Sequence, residues 1–436
     1  MNVLVVGGGA SGISAALSLT DLYPEAQVTL WEANGRLGGM ADSIQDANGE
    51  WINYGVQGVH ESFEYTLRLI AWAQIVNPDI ISPMPVALTS QFVTPHGVWN
   101  TSTSVFSHYW RKFRGMCQEA QQHPDVYSLM TIVDACKTYF IPDSFIDGTI
   151  LPLLALFFGT GNQIANLPAA LGAQVFYVQG ATEYNLTLFD LDDTGPITRS
   201  NMRVLPPLKL VYEALHYLLD RRNVRVELNT PVTGIMETVN GIVVNDSLFD
   251  AVILAVQVPD ALRILPVTHR AVDVLKHAKY YVDTTFTHRD WRHMGRVFEM
   301  SNRERFNYYI RSYARNDMLM GFHVNNYQTW LSTNVFQTIY LDGGNTDDIP
   351  TDLIHKAVWH QIGTDVEHML KCILKMKTIQ GPRLFFAGSY TLINSHEVAI
   401  MSGIYAAQLL SGTTGFPVRT FGPINTVFKK YMQINK

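Results

Sequence analysis

The sequence predicts an α/β fold: a discontinuous domain built on a parallel sheet, with an α+β domain inserted into it. Three observations predict this. The chain opens on a short apolar run that meets a cluster of glycines at once. A helical stretch and a second apolar run follow within about 30 residues, the span of a βαβ unit. Strand and helix blocks of the same kind then return only after residue 220 and again after residue 380, with long aromatic-rich stretches between them.

Asn2-Val3-Leu4-Val5-Val6 reads as a buried parallel strand. Ala10 to Leu22 reads as a helix that Tyr23-Pro24 stops, because the residue before a proline avoids helical geometry. Gln27 to Glu32 is the next strand. Gly7-Gly8-Gly9-Ala10-Ser11-Gly12 fits G-x-G-x-x-G. Gly7 serves the tight turn, Gly9 lets the backbone approach a pyrophosphate, and Gly12 lets the helix lie close to the sheet. Phosphates would sit at the helix N-terminus, beside Ala10 and Ser11, where free N–H groups and the positive dipole end favour anions. Glu32, with Ala33 after it, follows Gly12 by 20 residues, where a carboxylate accepts hydrogen bonds from a ribose diol. The other reading, a glycine-rich turn with an incidental Glu, leaves the order strand, loop, helix, strand, acid unexplained. The order predicts a Rossmann-type FAD/NAD(P)-binding domain.

The later blocks extend it. Asn223 to Leu228, Gly241 to Val244 and Ala251 to Val256 read as strands, as does Arg383 to Ala387, and Val398 to Leu410 reads as a helix. Asn394 with Glu397 three residues on has the shape of a capping box, so this helix is expected to run from about Ser395 to Gly412. The cofactor domain is accordingly expected from 1–75, 206–261 and 376–415, and a substrate domain from 76–205 and 262–375. A catalytic pocket is expected between them.

Composition narrows the class. Hydrophobic residues make up 47% of the 436 and charged ones 16%, enough for a large core. The net charge of −6 with no long basic run argues against a nucleic-acid partner. Cys117, Cys136 and Cys372 show no metal or redox spacing, so no metal is expected. No signal peptide is evident at the start, and the most apolar run, Ile150 to Phe158, is far short of the ~20 residues of a membrane span. The expectation is a cytoplasmic protein without a transmembrane segment.

Asn34-Gly35-Arg36-Leu37-Gly38-Gly39 follows Glu32 directly and continues into Met40. The glycine pair offers a second close backbone approach to phosphate, and Arg36 a fixed positive charge. This element resembles the Arg-x-Gly-Gly signature of the flavin-containing amine oxidase, protoporphyrinogen oxidase and phytoene desaturase superfamily. Leu384-Phe385-Phe386-Ala387-Gly388-Ser389 and Asn394-Ser395-His396-Glu397-Val398 are similar to its second flavin motif and to the helix aimed at the flavin ring. Pro231-Val232 and Ile253-Leu254-Ala255-Val256 look like its adenine-side strand and the strand that re-enters the cofactor domain. The resemblance implies FAD, held by Gly7, Gly9, Ala10, Ser11, Gly12, Glu32, Ala33, Arg36, Gly38, Gly39, Met40, Val232, Ala255, Gly388, Ser389, His396, Glu397 and Val398. With no Cys in the C-terminal motif, the link is expected to be non-covalent. Within the superfamily the chain is nearer to predicted FAD-binding oxidoreductases and to polyunsaturated fatty acid isomerases than to true amine oxidases. Two departures stand out. Ser389 replaces the usual Asp or Glu of the Phe-x-Gly turn. Ser395 stands where amine oxidases carry an aromatic wall of the amine cage, which argues against an amine substrate.

Flavin dehydrogenation needs a C–H held about 3–3.5 Å from flavin N5 in a dry pocket, and in some cases a base. His396, in the first turn of the last helix, is the candidate base; the alternative is that it packs beside the cofactor without chemistry. Glu397 is expected to be a helix cap. His60 and His288 are weaker candidates, and the flavin-proximal lysine of amine oxidases is not assignable to Lys276 or Lys279. Phe157-Phe158, Phe176-Tyr177, Tyr280-Tyr281, Tyr308-Tyr309 and Tyr390 are candidate walls or ordinary core. The expected function is two-electron oxidation of a small apolar or aromatic molecule, with O2 or another acceptor restoring the flavin. The alternative is a redox-neutral isomerase, cyclase or lyase.

Overall fold

A computed structural model of the chain describes residues 1–102, 108–158, 161–177, 189–198, 202–301, 306–342 and 348–412. The opening apolar run is the strand Asn2–Val6, buried from Val3 onward. The helix behind it spans Ala10–Leu22, and Tyr23 N–H closes its last turn on Leu19 O. Gln27–Trp31 pairs with the first strand in parallel, Val3 beside Val28. Ala251–Leu254 takes the other flank of the first strand and pairs in turn with Leu384–Phe386, while Arg225–Glu227 forms the opposite edge. Three distant stretches thus build one five-stranded parallel sheet. The last helix, His396–Ser411, lies along the first. Gly403 makes that approach close, since a Cβ there would stand 2.0 Å from Ser11 O.

Gly241–Val244 departs from the parallel pattern. It is the middle strand of an antiparallel meander with Ile235–Thr238 and Ser247–Phe249. Asn245 and Asp246 take φ of 45° and 66°, the pair of positive values that a tight type I′ hairpin needs.

A second sheet has seven strands in the order Leu353–Gly363, Lys279–His288, Phe336–Tyr340, Asp317–His323, Tyr308–Ala314, Ser90–Thr94 and Gly97–Asn100. Its pairs are antiparallel except Tyr308–Ala314 with Ser90–Thr94, so both inserted stretches share one sheet. Side chains alternate between faces along a strand. Phe286 therefore joins Phe298, Tyr309 and Phe336 beneath the helix Trp291–Phe298, while Thr285 turns to the opposite face. The apolar run after Ile150 is an eight-residue helix, Leu151–Phe158. No helix among the described residues is long and apolar enough to cross a membrane.

Candidate functional site

A cavity of about 720 Å³ opens at the carboxyl ends of the parallel strands, the crevice where open α/β sheets bind ligands. Its floor begins at the glycine turn. Gly7 takes φ +102°, and a Cβ there would lie 2.5 Å from Ala255 O. At Gly12 a Cβ would lie 1.8 Å from Gly7 O, so this glycine serves packing and does not line the cavity. A Cβ at Gly9 would meet only Gly39 Cα, at 4.0 Å. Two glycine backbones thus face each other across an open slot. The first intrahelical bond runs from Ile13 N to Gly9 O, leaving the amides of residues 10–12 without an acceptor in the helix. The slot and the free amides fit a diphosphate.

The second strand ends at Trp31, one residue short of its expected bound, and Glu32 follows it into the cavity, buried to 7% exposure. Its Oε2 accepts from Gly8 N at 2.7 Å and its Oε1 from Asn34 N at 2.8 Å. Asn34 Nδ2 also donates to Oε1, at 2.6 Å, so of the carboxylate's roughly four acceptor positions about one is left for a ribose hydroxyl. Ala33, Gly38, Gly39, Met40, Val232 and Ala255 line the same end, with Gly7, Gly9, Ala10 and Ser11. Arg36 does not. Its guanidinium pairs with Asp42 at 2.9 Å and donates to Gly39 O at 3.2 Å, so the charge expected for a phosphate goes to a buried carboxylate of its own loop. Tyr54 O–H also donates to Asp42, at 2.6 Å.

The other end is reached past Gly388, Ser389 and the start of the last helix. The capping box is not formed. Ser395 is the N-cap and no side chain caps the helix. Asn394 instead donates to Gln361. Glu397 reaches across to the N-terminus of the helix Glu64–Val76, accepting from Tyr65 N at 3.0 Å, Thr66 N at 2.8 Å and Thr66 Oγ1 at 2.9 Å. Those amides are the unpaired donors at the positive end of another helix, a better partner for a buried carboxylate than its own first turn. Burial still pushes Glu397 up to about 7.

His396 lines the cavity, but both ring nitrogens are engaged within the protein: Nε2 with Tyr212 OH at 2.6 Å and Nδ1 with Thr66 Oγ1 at 3.1 Å. With Glu397 ionised, Thr66 gives its one hydroxyl proton to the carboxylate. Oγ1 then accepts from Nδ1–H, and Nε2 accepts from Tyr212 O–H. Burial holds the imidazole neutral, near 4. The geometry favours the packing reading of His396 over the base. Thr66 and Tyr212 complete this chain, and the sequence offers no local signal for either. Tyr212 sits on an amphipathic helix, Leu208–Arg221, where it reads as ordinary core. Glu397 and Val398 lie behind the lining.

Beyond this point Phe157, Phe158, Tyr280, Tyr308 and Tyr390 reach the cavity, with Leu88, Leu156, Phe322 and Ile339. Phe176, Tyr281 and Tyr309 do not, and the side chain of Tyr177 lies outside the described residues. His60 lines the cavity, with Nδ1 against Ser62 Oγ at 2.6 Å. His288 is on the far face of the second sheet, bonded to Thr338 Oγ1 at 3.0 Å and held near 3 by burial. Lys276 pairs with Asp273, and Lys279 with Asp365 and Glu367, so neither faces the cavity. The described residues hold no cluster that would bind a metal.

Residues 5–71 match the model of the NAD(P)-binding Rossmann-like domain. No curated protein matches the chain by sequence. Among solved structures it is similar to a protein described as a protoporphyrinogen oxidase from Exiguobacterium sp. 255-15, with a TM-score of 0.69 at 15% identity over 94% of this chain and 98% of that one. A CLA-producing fatty acid isomerase from P. acnes gives 0.65 at 13% identity, over 95% and 98%. Cyclohexylamine oxidase from Brevibacterium oxydans IH-35A gives 0.61 at 12%, over 94% and 98%. The chain therefore carries a Rossmann-like domain over residues 5–71 and shares the overall fold of these solved oxidases and isomerase.

Proposed function

We propose that the chain binds FAD without a covalent link and oxidises a small apolar or aromatic molecule, removing two electrons by hydride transfer. One observation carries this reading: a single cavity runs from the glycine turn and Glu32, past the start of the last helix, to an aromatic wall. The amides beside Ala10 and Ser11 would hold the diphosphate and Glu32 the ribose, with Val232 and Ala255 on the adenine side. Gly388, Ser389 and the first turn of the last helix would meet the ribityl chain and ring. Bound there, the flavin would supply the hydride acceptor at N5. The chain supplies orientation and dryness. Phe157, Phe158 and Leu156 keep water from the reacting face. The amide end of the helix His396–Ser411 stabilises negative charge placed against it. His396, fixed by Tyr212 and Thr66, is a positioning residue. The cofactor domain is assigned to 1–75, 206–261 and 376–415, and the substrate domain to 76–205 and 262–375; the five-stranded and seven-stranded sheets each keep to one side of that division, while the small sheet in which Met202–Val204 pairs with Gly58–His60 and Met84–Val86 crosses it.

Acid precipitation of purified protein tests the cofactor. A flavin spectrum in the supernatant is expected. Yellow colour kept by the pellet contradicts the non-covalent link, and failure to carry or take up any FAD ends the proposal. A second reading, a redox-neutral isomerase, draws support from the likeness to the fatty acid isomerase and from the same apolar wall. Substrate that bleaches the flavin without air favours oxidation; anaerobic turnover with the oxidised spectrum restored favours isomerisation.

A further inference from the structure

We propose that Tyr308 selects the substrate by donating a hydrogen bond from its hydroxyl to an accepting oxygen, of the carbonyl kind, on an otherwise apolar molecule. The inference rests on the FAD reading above and concerns the aromatic end of that same cavity.

The seven-stranded sheet sets the position. Tyr308 pairs with Phe322 and Phe322 with Gln337, so the three form one row across the sheet. Residues two apart on a strand share a face, which puts Ile339 and its partner Thr285 on that face too. Tyr308, Phe322, Ile339 and Thr285 all line the cavity. The polar neighbours of Tyr308 are engaged inside the protein. Gln337 accepts from Gln57 Nε2 and donates to Asn53 O at 2.9 Å. Gln57 Oε1 accepts from Tyr327 O–H, and Thr285 Oγ1 accepts from Trp359 Nε1 at 3.1 Å.

Tyr308 is different. Its hydroxyl makes no hydrogen bond among the described residues. Nor is it sealed: the hydroxyls of Ser395 and Tyr390 lack both a partner and accessible surface, whereas that of Tyr308 stays open in the cavity its residue lines. The residue as a whole is only 9% exposed, so this is no surface hydroxyl bathed in bulk water. A polar group so placed is costly until something completes it. The ring that carries it is fixed. It stacks on Tyr327 with centroids 5.6 Å apart and meets Phe322 edge-on at 5.6 Å. Burial pushes the phenol upward, so it keeps its proton and acts as a donor. A phenol oxygen shares a lone pair with its ring and accepts weakly, so the matching group is an acceptor. The rest of the aromatic end, with Phe157, Phe158, Leu156 and Leu88, offers apolar side chains to the body of the molecule.

The test uses the FAD-loaded protein and two probes of one shape: acetophenone, and α-methylstyrene, in which a methylene replaces the carbonyl oxygen. Binding is read from the change in the flavin's visible absorption and from the melting temperature. Tyr308→Phe keeps the stacked ring and removes the donor. The ratio of acetophenone to α-methylstyrene affinity is expected to fall about tenfold in this variant, through acetophenone alone, with FAD affinity unchanged. A role in packing only would move both probes together. An unchanged ratio overturns the proposal, as does a parent protein that does not bind acetophenone, or a variant that weakens both probes equally or loses FAD. None of these outcomes in the parent touches the FAD reading, which fails separately, before any probe is added, if no flavin binds.

Discussion

Glu397 and His396 are adjacent residues pushed in opposite directions by the same burial. Glu397 rises from 4.5 to about 7 and His396 falls from 6.5 to about 4. The folded protein holds the Glu397 proton more tightly than the unfolded chain does. Its contribution to stability is therefore full below about 4.5 and is lost as pH rises through about 7. The folded protein holds a proton on His396 less tightly, so that contribution is present above 6.5 and is lost as pH falls through about 4. Each spans on the order of 3 kcal/mol, and between 4.5 and 6.5 the two slopes oppose. Removing either one exposes the other. Relative to the parent, Glu397→Gln is expected to gain stability as pH rises through that window, and His396→Gln to lose it. Urea midpoints at about pH 4.5, 5.5 and 6.5 measure both, and parallel curves for parent and variants would remove the buried-pair account. The sequence marks both residues as belonging to the site but misassigns the partner of Glu397. The spacing Asn394 to Glu397 is a local signal, whereas Thr66 lies 331 positions away and nothing local announces it.

Among the elements, the first helix meets the cavity at one end and the last helix along its side, and a glycine governs each contact. A Cβ at Gly403 would stand 2.0 Å from Ser11 O and 2.3 Å from Ser14 Oγ. The two helices cannot stay this close, and Gly403→Ala is expected to cost on the order of 3 kcal/mol. At Gly9 the same methyl meets nothing nearer than 4.0 Å, and φ of −79° suits alanine. Gly9→Ala is therefore expected to cost about 1 kcal/mol or less in stability, as an N-cap change, while filling the slot proposed for the diphosphate. FAD affinity should fall more than tenfold in Gly9→Ala at near-parent stability. Denaturant titration and flavin binding separate the two variants, and a Gly9→Ala protein that keeps its FAD affinity would move the diphosphate elsewhere. This βαβ element was fully legible, because strand, turn, helix and acid lie within one short stretch whose spacings the backbone enforces. Arg36 was legible as a charge but not as a partner: Asp42, six residues on, competes with phosphate, and only the folded loop decides between them.

At the scale of the whole molecule, three stretches must meet, and Asn53 is where they are fastened. It is fully buried, and all its polar atoms are used. Its Nδ2 donates to Leu205 O and Pro206 O at 3.0 Å, its Oδ1 accepts from Ser43 Oγ at 2.6 Å and Leu208 N at 3.0 Å, and its backbone bonds the side chains of Gln328 and Gln337. No periodicity in the sequence marks such a residue, since its partners come from the two inserted stretches and from the return to the parallel sheet. Asn53→Leu keeps the branched shape, in a somewhat larger side chain, and strands four polar groups, each costing ~1–3 kcal/mol when left unpaired, so a loss on the order of 4 kcal/mol is expected after partial relaxation. The form of the transition is the sharper test. The parallel sheet draws strands from 2–31, 225–254 and 384–386, so it cannot outlast a separation of the stretches that carry them. The variant should unfold in one step, at lower urea and with an unchanged slope. Far-ultraviolet circular dichroism would follow the sheets, and tryptophan fluorescence would report the eight tryptophans together, among them Trp330, whose Nε1 donates to Trp51 O beside the same knot. Coincident curves would mean that the knot and both sheets form one cooperative unit, whereas a fluorescence change preceding loss of the sheets would mean that the pieces fold first and are only afterwards tied together.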